Sequence, residues 1–157
     1  MKFLDFVCFE AIVPHLKATD RDGVINELII ALEKAGQLNS TDAKKIAKTV
    51  IKRENEASTG MGKGIAVPHV KHPDIKKAIA VIGKSENGVG FAALDKKPVF
   101  NVILLLSPAD DPDKHLQAME YIFIHLQKEK FLKFLAQAQT AEAIKDLLLE
   151  ADEDPDF

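Results

Sequence analysis

The sequence predicts a layered α/β or α+β domain, and three observations carry that reading. Two short runs rich in Val and Ile, residues 78–83 and 99–106, are closed by Gly, Pro or polar residues and read as buried strands. Segments whose apolar residues recur at three- and four-residue steps, the period of one helix face, flank those strands on both sides. The 157 residues suit one domain that buries roughly 70% of its unfolded surface, and no Ser/Gly/Pro-rich linker divides them.

In chain order, the first long helix spans 21–35. Val24, Ile25, Leu28, Ile29, Leu32 and Ala35 form its apolar face, Thr19 or Asp20 caps its start, and Gly36 marks its end. A second helix begins after Ser40 or Thr41 and turns Ala43, Ile46, Ala47, Val50 and Ile51 to one side. It presents lysines on the other side and delivers Arg53 and Glu54 at its C-terminal end. A glycine-punctuated loop, 58–64, leads into the β-like run Ile65, Ala66, Val67, stopped by Pro68 and His69. Turns at 88–91 and 95–98 separate the two main strands. After the second strand, Asp111 is a good N-cap and Pro112 a good first residue for a helix carrying Leu116, Met119, Ile122, Phe123 and Leu126. His115 falls in its first turn. Helices at 130–136 and, capped by Thr140, at 141–150 complete the domain, residues 1–150; residues 151–157 are expected to form an acidic, disordered tail.

The chain has 21 Lys+Arg against 24 Asp+Glu, a formal net charge of −3 that conceals strong segregation. Residues 150–157 hold five acids and no base, whereas 44–77 hold nine bases and three acids. Lys44, Lys45, Lys48 and Lys52 are spaced around a helix without interleaved aromatics, so a solvated face explains them and no nucleic-acid partner is expected. Cys8 is the single cysteine, which excludes an intrachain disulfide and fits a small core residue in a reducing interior. No apolar run approaches the roughly 20 residues that cross a bilayer, and an acid at Asp5 interrupts any signal-peptide pattern. A cytoplasmic protein without membrane insertion is expected.

The glycine loop invites a nucleotide reading, but the spacing rejects it. A Walker A loop aligned on Gly62 and Lys63 needs Gly at 57 and Ser or Thr at 64, where Ala57 and Gly64 stand. The G-x-G-x-x-G fingerprint fails from Gly60 at Ile65 and from Gly62 at Val67. Of the five histidines, His15 and His125 sit in structural contexts. His69 and His72 make His-x-x-His, yet no Glu lies between them and Pro73 opposes a helical presentation, so no metal is assigned. His69 is the distinctive one, held after a proline at the rim of a sheet beside a loop rich in backbone N–H groups. A histidine that accepts a phosphoryl group needs a neutral nucleophilic nitrogen, donors for three charged oxygens, and a guanidinium or second imidazole to offset charge in transit. His69, the glycine loop, Arg53 and His115 supply that set.

Arg53-Glu54, then Ser58-Thr59-Gly60-x-Gly62-x-Gly64-Ile65-Ala66-x-Pro68-His69, the strand 102–106, Pro108-Ala109 and Lys114-His115-Leu116 together resemble the IIA domains of the bacterial phosphoenolpyruvate-dependent phosphotransferase system (PTS). The likeness is to the fructose/mannitol class, nearest the nitrogen-regulatory type, and runs from Phe3 to about Glu150. The resemblance implies a mixed central β-sheet flanked by helices on both faces. It implies that HPr, or its nitrogen-branch counterpart, passes a phosphoryl group to Nε2 of His69, with Arg53 and His115 assisting and Thr59, Gly60 and Gly62 as secondary phosphoryl-binding candidates. It implies no cofactor. A free-standing IIA of this length is expected to act as a phosphorylation-dependent regulator of target proteins; the alternative is a IIA component that hands its phosphoryl group to a IIB protein for sugar uptake. One residue departs from the family pattern: Val70 follows the acceptor histidine where glycine is frequent. Asp110, Asp111 and Asp113, just before His115, are candidate acidic contacts for a basic carrier.

Overall fold

The computed structural model describes residues 1–154 and 156–157. The elements are α1 (Phe3–Phe6), α2 (Arg21–Lys34), α3 (Ser40–Glu56), β1 (Gly60–Gly62), β2 (Ile65–Ala66), β3 (His69–His72), β4 (Ile79–Val89), β5 (Val99–Pro108), α4 (Pro112–Leu126), α5 (Glu129–Gln137) and α6 (Ala141–Glu153). The helix starts follow local capping chemistry. Asp20 accepts from the Gly23 amide, Asn39 from Asp42, Asp111 from Lys114 and Thr140 from Ala143. Asn39 rather than Ser40 caps α3, one residue ahead of the expected start.

β5 is the centre of a mixed five-stranded sheet. β2 and β3 run parallel along one edge of it, β4 runs antiparallel along the other, and β1 folds back on β2. Alternation along β5 builds two apolar layers. Val102, Leu104 and Leu106 face α2 and α3, while Ile103 and Leu105 face α1 and α4–α6; β4 divides likewise, Val81 to the first layer and Ala80 and Ile82 to the second. Both faces being covered explains why these strands read as continuous apolar runs.

The main departures from the expected elements have physical causes. Pro68 does not end the β-like run, because the parallel pairing resumes in the same register: Ile65 lies opposite Asn101 and His69 opposite Leu105. β5 continues through Ser107 and Pro108, which pair with Lys71 and His72. Residues 12–16 lie along β4 through an isolated bridge, Val13 to Gly83, and a hydrogen bond from the Leu16 amide to Lys84 O, and leave His15 exposed. On α4 the inward phase is set by Ala118, Ile122, His125 and Leu126, so Leu116 is turned outward, 56% exposed.

The tail expectation is corrected for the described residues, Pro155 lying outside them. α6 runs on to Glu153 with Ala151 buried, and Phe157 is buried against Phe131 and Phe134. The Asp152 carboxylate accepts hydrogen bonds from the amides of Phe3 and Leu4 and from the Tyr121 hydroxyl, joining both ends of the fold. Acidity alone predicts a solvated end, but the Asp152 carboxylate is held at the N-terminus of α1 and Phe157 packs on Phe131 and Phe134.

Candidate functional site

The site stands at the C-terminal end of β5, where strand register decides which side chains meet. His69 pairs with Leu105 and Lys71 with Ser107, so all four project to the face covered by α4. Val70, paired with Leu106, and His72, paired with Pro108, project to the α3 face. His69 and His72 are therefore on opposite sides of the sheet, and no group of three or more His, Cys, Asp or Glu among the described residues is placed to hold a metal. His72 instead accepts from the Asp74 amide. Val70 packs its β-branched side chain into the α2/α3 layer as an ordinary strand residue.

Pro68 has no N–H to give to the ladder. Its carbonyl accepts from Leu105, and the preceding carbonyl, Val67 O, accepts from Nδ1 of His69 at 2.7 Å. A carbonyl only accepts, so Nδ1 carries the proton, and in the neutral ring the free lone pair is on Nε2.

His115 lies in the first turn of α4, its ring centroid 5.7 Å from that of His69. Its Nδ1 is 2.7 Å from the hydroxyl of the fully buried Ser107. Burial holds its pKa down to about 4, with the charges of His69 and Lys71 adding to the effect. His115 is thus a neutral imidazole at neutral pH.

The loop residues behave differently from expectation. The Thr59 amide and hydroxyl both donate to Glu54, a carboxylate at the end of α3 that is only 3% exposed. The Gly60 amide donates to the Ser58 hydroxyl, and Gly60 packs so closely on Ala93 that an added Cβ would lie 2.7 Å from the Ala93 Cβ. The amides at 59 and 60 are thereby committed within the loop. Gly62, with φ of +91°, ends β1 beside Asp95, and Lys63 and Gly64, both at positive φ, make the tight turn into β2. Arg53, in the last turn of α3, donates one guanidinium N–H to the Ala57 carbonyl at 2.9 Å, which leaves further donors on its fork. The structure thus brings His69 and His115 together and ties Thr59 and Gly60 to loop architecture. Sequence reasoning missed Ser107 and Lys71; the alternation of Ile103, Leu105 and Ser107 was the signal for the first.

A mixed sheet with this histidine pair at the end of its central strand defines the class. The sequence pattern for EIIA 2 of the phosphoenolpyruvate-dependent sugar phosphotransferase system matches residues 6–151, and the chain belongs to that family. It is 30% identical to a nitrogen regulatory protein of Bradyrhizobium diazoefficiens, over 94% of this chain and 95% of that one. It is 31% identical to a fructose-specific PTS EIIABC component of Bacillus subtilis over 97% of its length, and spans 24% of that longer protein. The crystal structure of nitrogen regulatory protein IIA-Ntr from Neisseria meningitidis superposes with a TM-score of 0.80 at 26% identity, covering 92% of this chain and 97% of that one. Among the described residues no helix is long and apolar enough to cross a membrane.

Proposed function

We propose that this protein accepts a phosphoryl group on Nε2 of His69 from a phosphohistidine carrier of the HPr type, or its nitrogen-branch counterpart, and acts as a phosphorylation-dependent regulator. The observation that carries the reading is the Nδ1–H bond from His69 to Val67 O, which leaves Nε2 as the nucleophile. In the transfer the P–N bond of the donor breaks, its electron pair returns to the donor nitrogen, and the His69 Nε2 lone pair forms the new P–N bond. His69 keeps its Nδ1 proton throughout. The uncommitted N–H groups of Arg53 and the neighbouring His115 are the proposed partners of the phosphoryl oxygens, with Lys71 adding positive potential from the same face. Once attached, with Nδ1 still protonated, the group adds about one net negative charge and three acceptor oxygens to the surface bearing exposed Leu116, which would let it exchange one set of partners for another.

The regulatory role is favoured by the likeness to a nitrogen regulatory protein along nearly the full length of both chains. Its alternative, transfer onward to a IIB protein for sugar uptake, is favoured by comparable identity to the fructose-specific relative. Incubation with phosphoenolpyruvate, enzyme I and either carrier, followed by intact-mass and acid-lability measurements, tests the common step. Wild type should gain one acid-labile phosphoryl group and His69→Ala none; no adduct on wild type with either carrier refutes the reading. Rapid discharge by an added IIB then indicates transport, whereas retained target binding by His69→Ala indicates regulation.

A further inference from the structure

We propose that Ser107 is a positioning residue that fixes His115 as the Nε2–H tautomer, so that this ring presents a hydrogen-bond donor to the phosphoryl group on His69. The inference rests on the reading of His69 as phosphoryl acceptor and assigns a role to a residue one layer behind it.

Ser107 is carried to this place by strand alternation: Ile103, Leu105 and Ser107 share the face of β5 that α4 covers. At the end of that row an apolar residue would continue the core; instead a hydroxyl is buried with 0% exposure. Its side chain makes one hydrogen bond recorded among the described residues, to Nδ1 of His115 at 2.7 Å. Two proton arrangements satisfy that distance. If His115 donated from Nδ1, the serine proton would need a second acceptor in a site closed to water, and a buried donor left unmet is costly. If the serine donates to Nδ1, its one proton is used and the imidazole proton sits on Nε2. A doubly protonated His115 meets the same objection as the first arrangement. The hydroxyl therefore selects the neutral Nε2–H ring.

The selected form is the useful one. Val67 O makes His69 a lone pair at Nε2, and Ser107 makes the ring 5.7 Å away an N–H at Nε2. A phosphoryl group bonded to the first can accept from the second, whereas the other tautomer of His115 would turn a lone pair toward anionic oxygens. No proton moves in this arrangement: His115 keeps its Nε2–H while the P–N bond to the donor breaks and that to His69 forms. The two histidines are thus set as opposite tautomers by two different oxygens, a carbonyl that only accepts and a hydroxyl whose single proton must be placed.

The test uses the full chain with ¹⁵N-labelled imidazoles and potassium phosphoramidate as a simple P–N donor. Wild-type His115 should show a protonated Nε2 and an unprotonated Nδ1 at neutral pH. Ser107→Ala should move the proton wholly or partly to Nδ1 and slow His69 phosphorylation about tenfold to a hundredfold, and Ser107→Thr should restore both. A wild-type His115 protonated on Nδ1 overturns the inference even if Ser107→Ala fails to fold. So does a folded Ser107→Ala whose His115 spectrum and phosphorylation rate are unchanged. Absence of any adduct on wild type, with phosphoramidate and with the charged carrier, overturns instead the underlying reading of His69, and the tautomer spectrum separates that failure from this one.

Discussion

Acidification should destabilise this protein through His115 in a window that an ordinary histidine would not produce. Its folded-state pKa is lowered from 6.5 to about 4, first by burial and then by the charges of His69 and Lys71. The unfolded chain therefore binds a proton between those values that the folded chain refuses. The contribution of the neutral ring is present above pH 6.5, falls progressively as pH drops through the window, and is fully lost below about 4. Taken at face value the gap corresponds to about 3.4 kcal/mol at 1.36 kcal/mol per pH unit. The ring is half-buried rather than enclosed, so solvent screening reduces the expected loss to about 1–2 kcal/mol. Urea unfolding at a series of pH values, for wild type and His115→Gln, isolates the effect as the difference between the two curves. Wild type should lose that amount more than the variant between pH 7 and pH 4, and an NMR titration of the His115 ring should give a midpoint well below 6.5. A midpoint at 6.5 or above, or parallel stability curves, would refute the assignment of His115 as a neutral donor enforced by its surroundings.

Four further substitutions test the architecture around the site. Gly60→Ala should cost about 1–3 kcal/mol in urea unfolding, because the new Cβ would stand 2.7 Å from the Ala93 Cβ and 2.9 Å from its Cα, which is backbone and cannot step aside. Leu105→Ala, at a fully buried position opposite His69, should cost about 2–5 kcal/mol, whereas Leu94→Ala, 85% exposed, should stay within about 0.5 kcal/mol. Phe157→Ala should lower stability by about 1–3 kcal/mol through lost contacts with Phe131 and Phe134, and a midpoint unchanged in denaturant would restore the view of the last residues as a passive tail.

Periodicity made the fold legible in advance. Strands apolar on both faces imply layers on both sides, and local caps at Asp20, Asp111 and Thr140 mark helix starts without reference to anything distant. His69 and His115 were marked out as candidates by a dense local motif and a helix-start pattern, and the structure brings the two rings together. Contacts that depend on register were not. Nothing local says that Thr59 turns its hydroxyl to Glu54, since that needs the end of α3 to close over the loop. Nor does acidity near the end of the chain reveal that Asp152 receives two amides from residues almost 150 positions away. Leu116 was misread because a Leu at helical spacing fits two adjacent phases, and only packing against the sheet selects between them.

The interruption between β2 and β3 links these levels. The carbonyls of Gly64, Pro68 and His72 turn toward β5 and accept from Asn101, Leu105 and Ala109, so the Val67 carbonyl turns away from β5, and a register shifted by one residue would have moved His69 to the α3 face. Pro68 interrupts the ladder for lack of an N–H while the register on β5 is kept, so no side chain changes sides. The Val67 carbonyl, outside the β5 ladder, accepts from Nδ1 of His69 and so fixes its proton. Because the register is kept, the row of Leu105 and Ser107 still runs beside His69 and ends beneath His115. The alternation of one strand thus meets two requirements together: a register that sets His69 beside the row ending beneath His115, and a backbone oxygen outside the β5 ladder that decides which nitrogen of His69 keeps its lone pair.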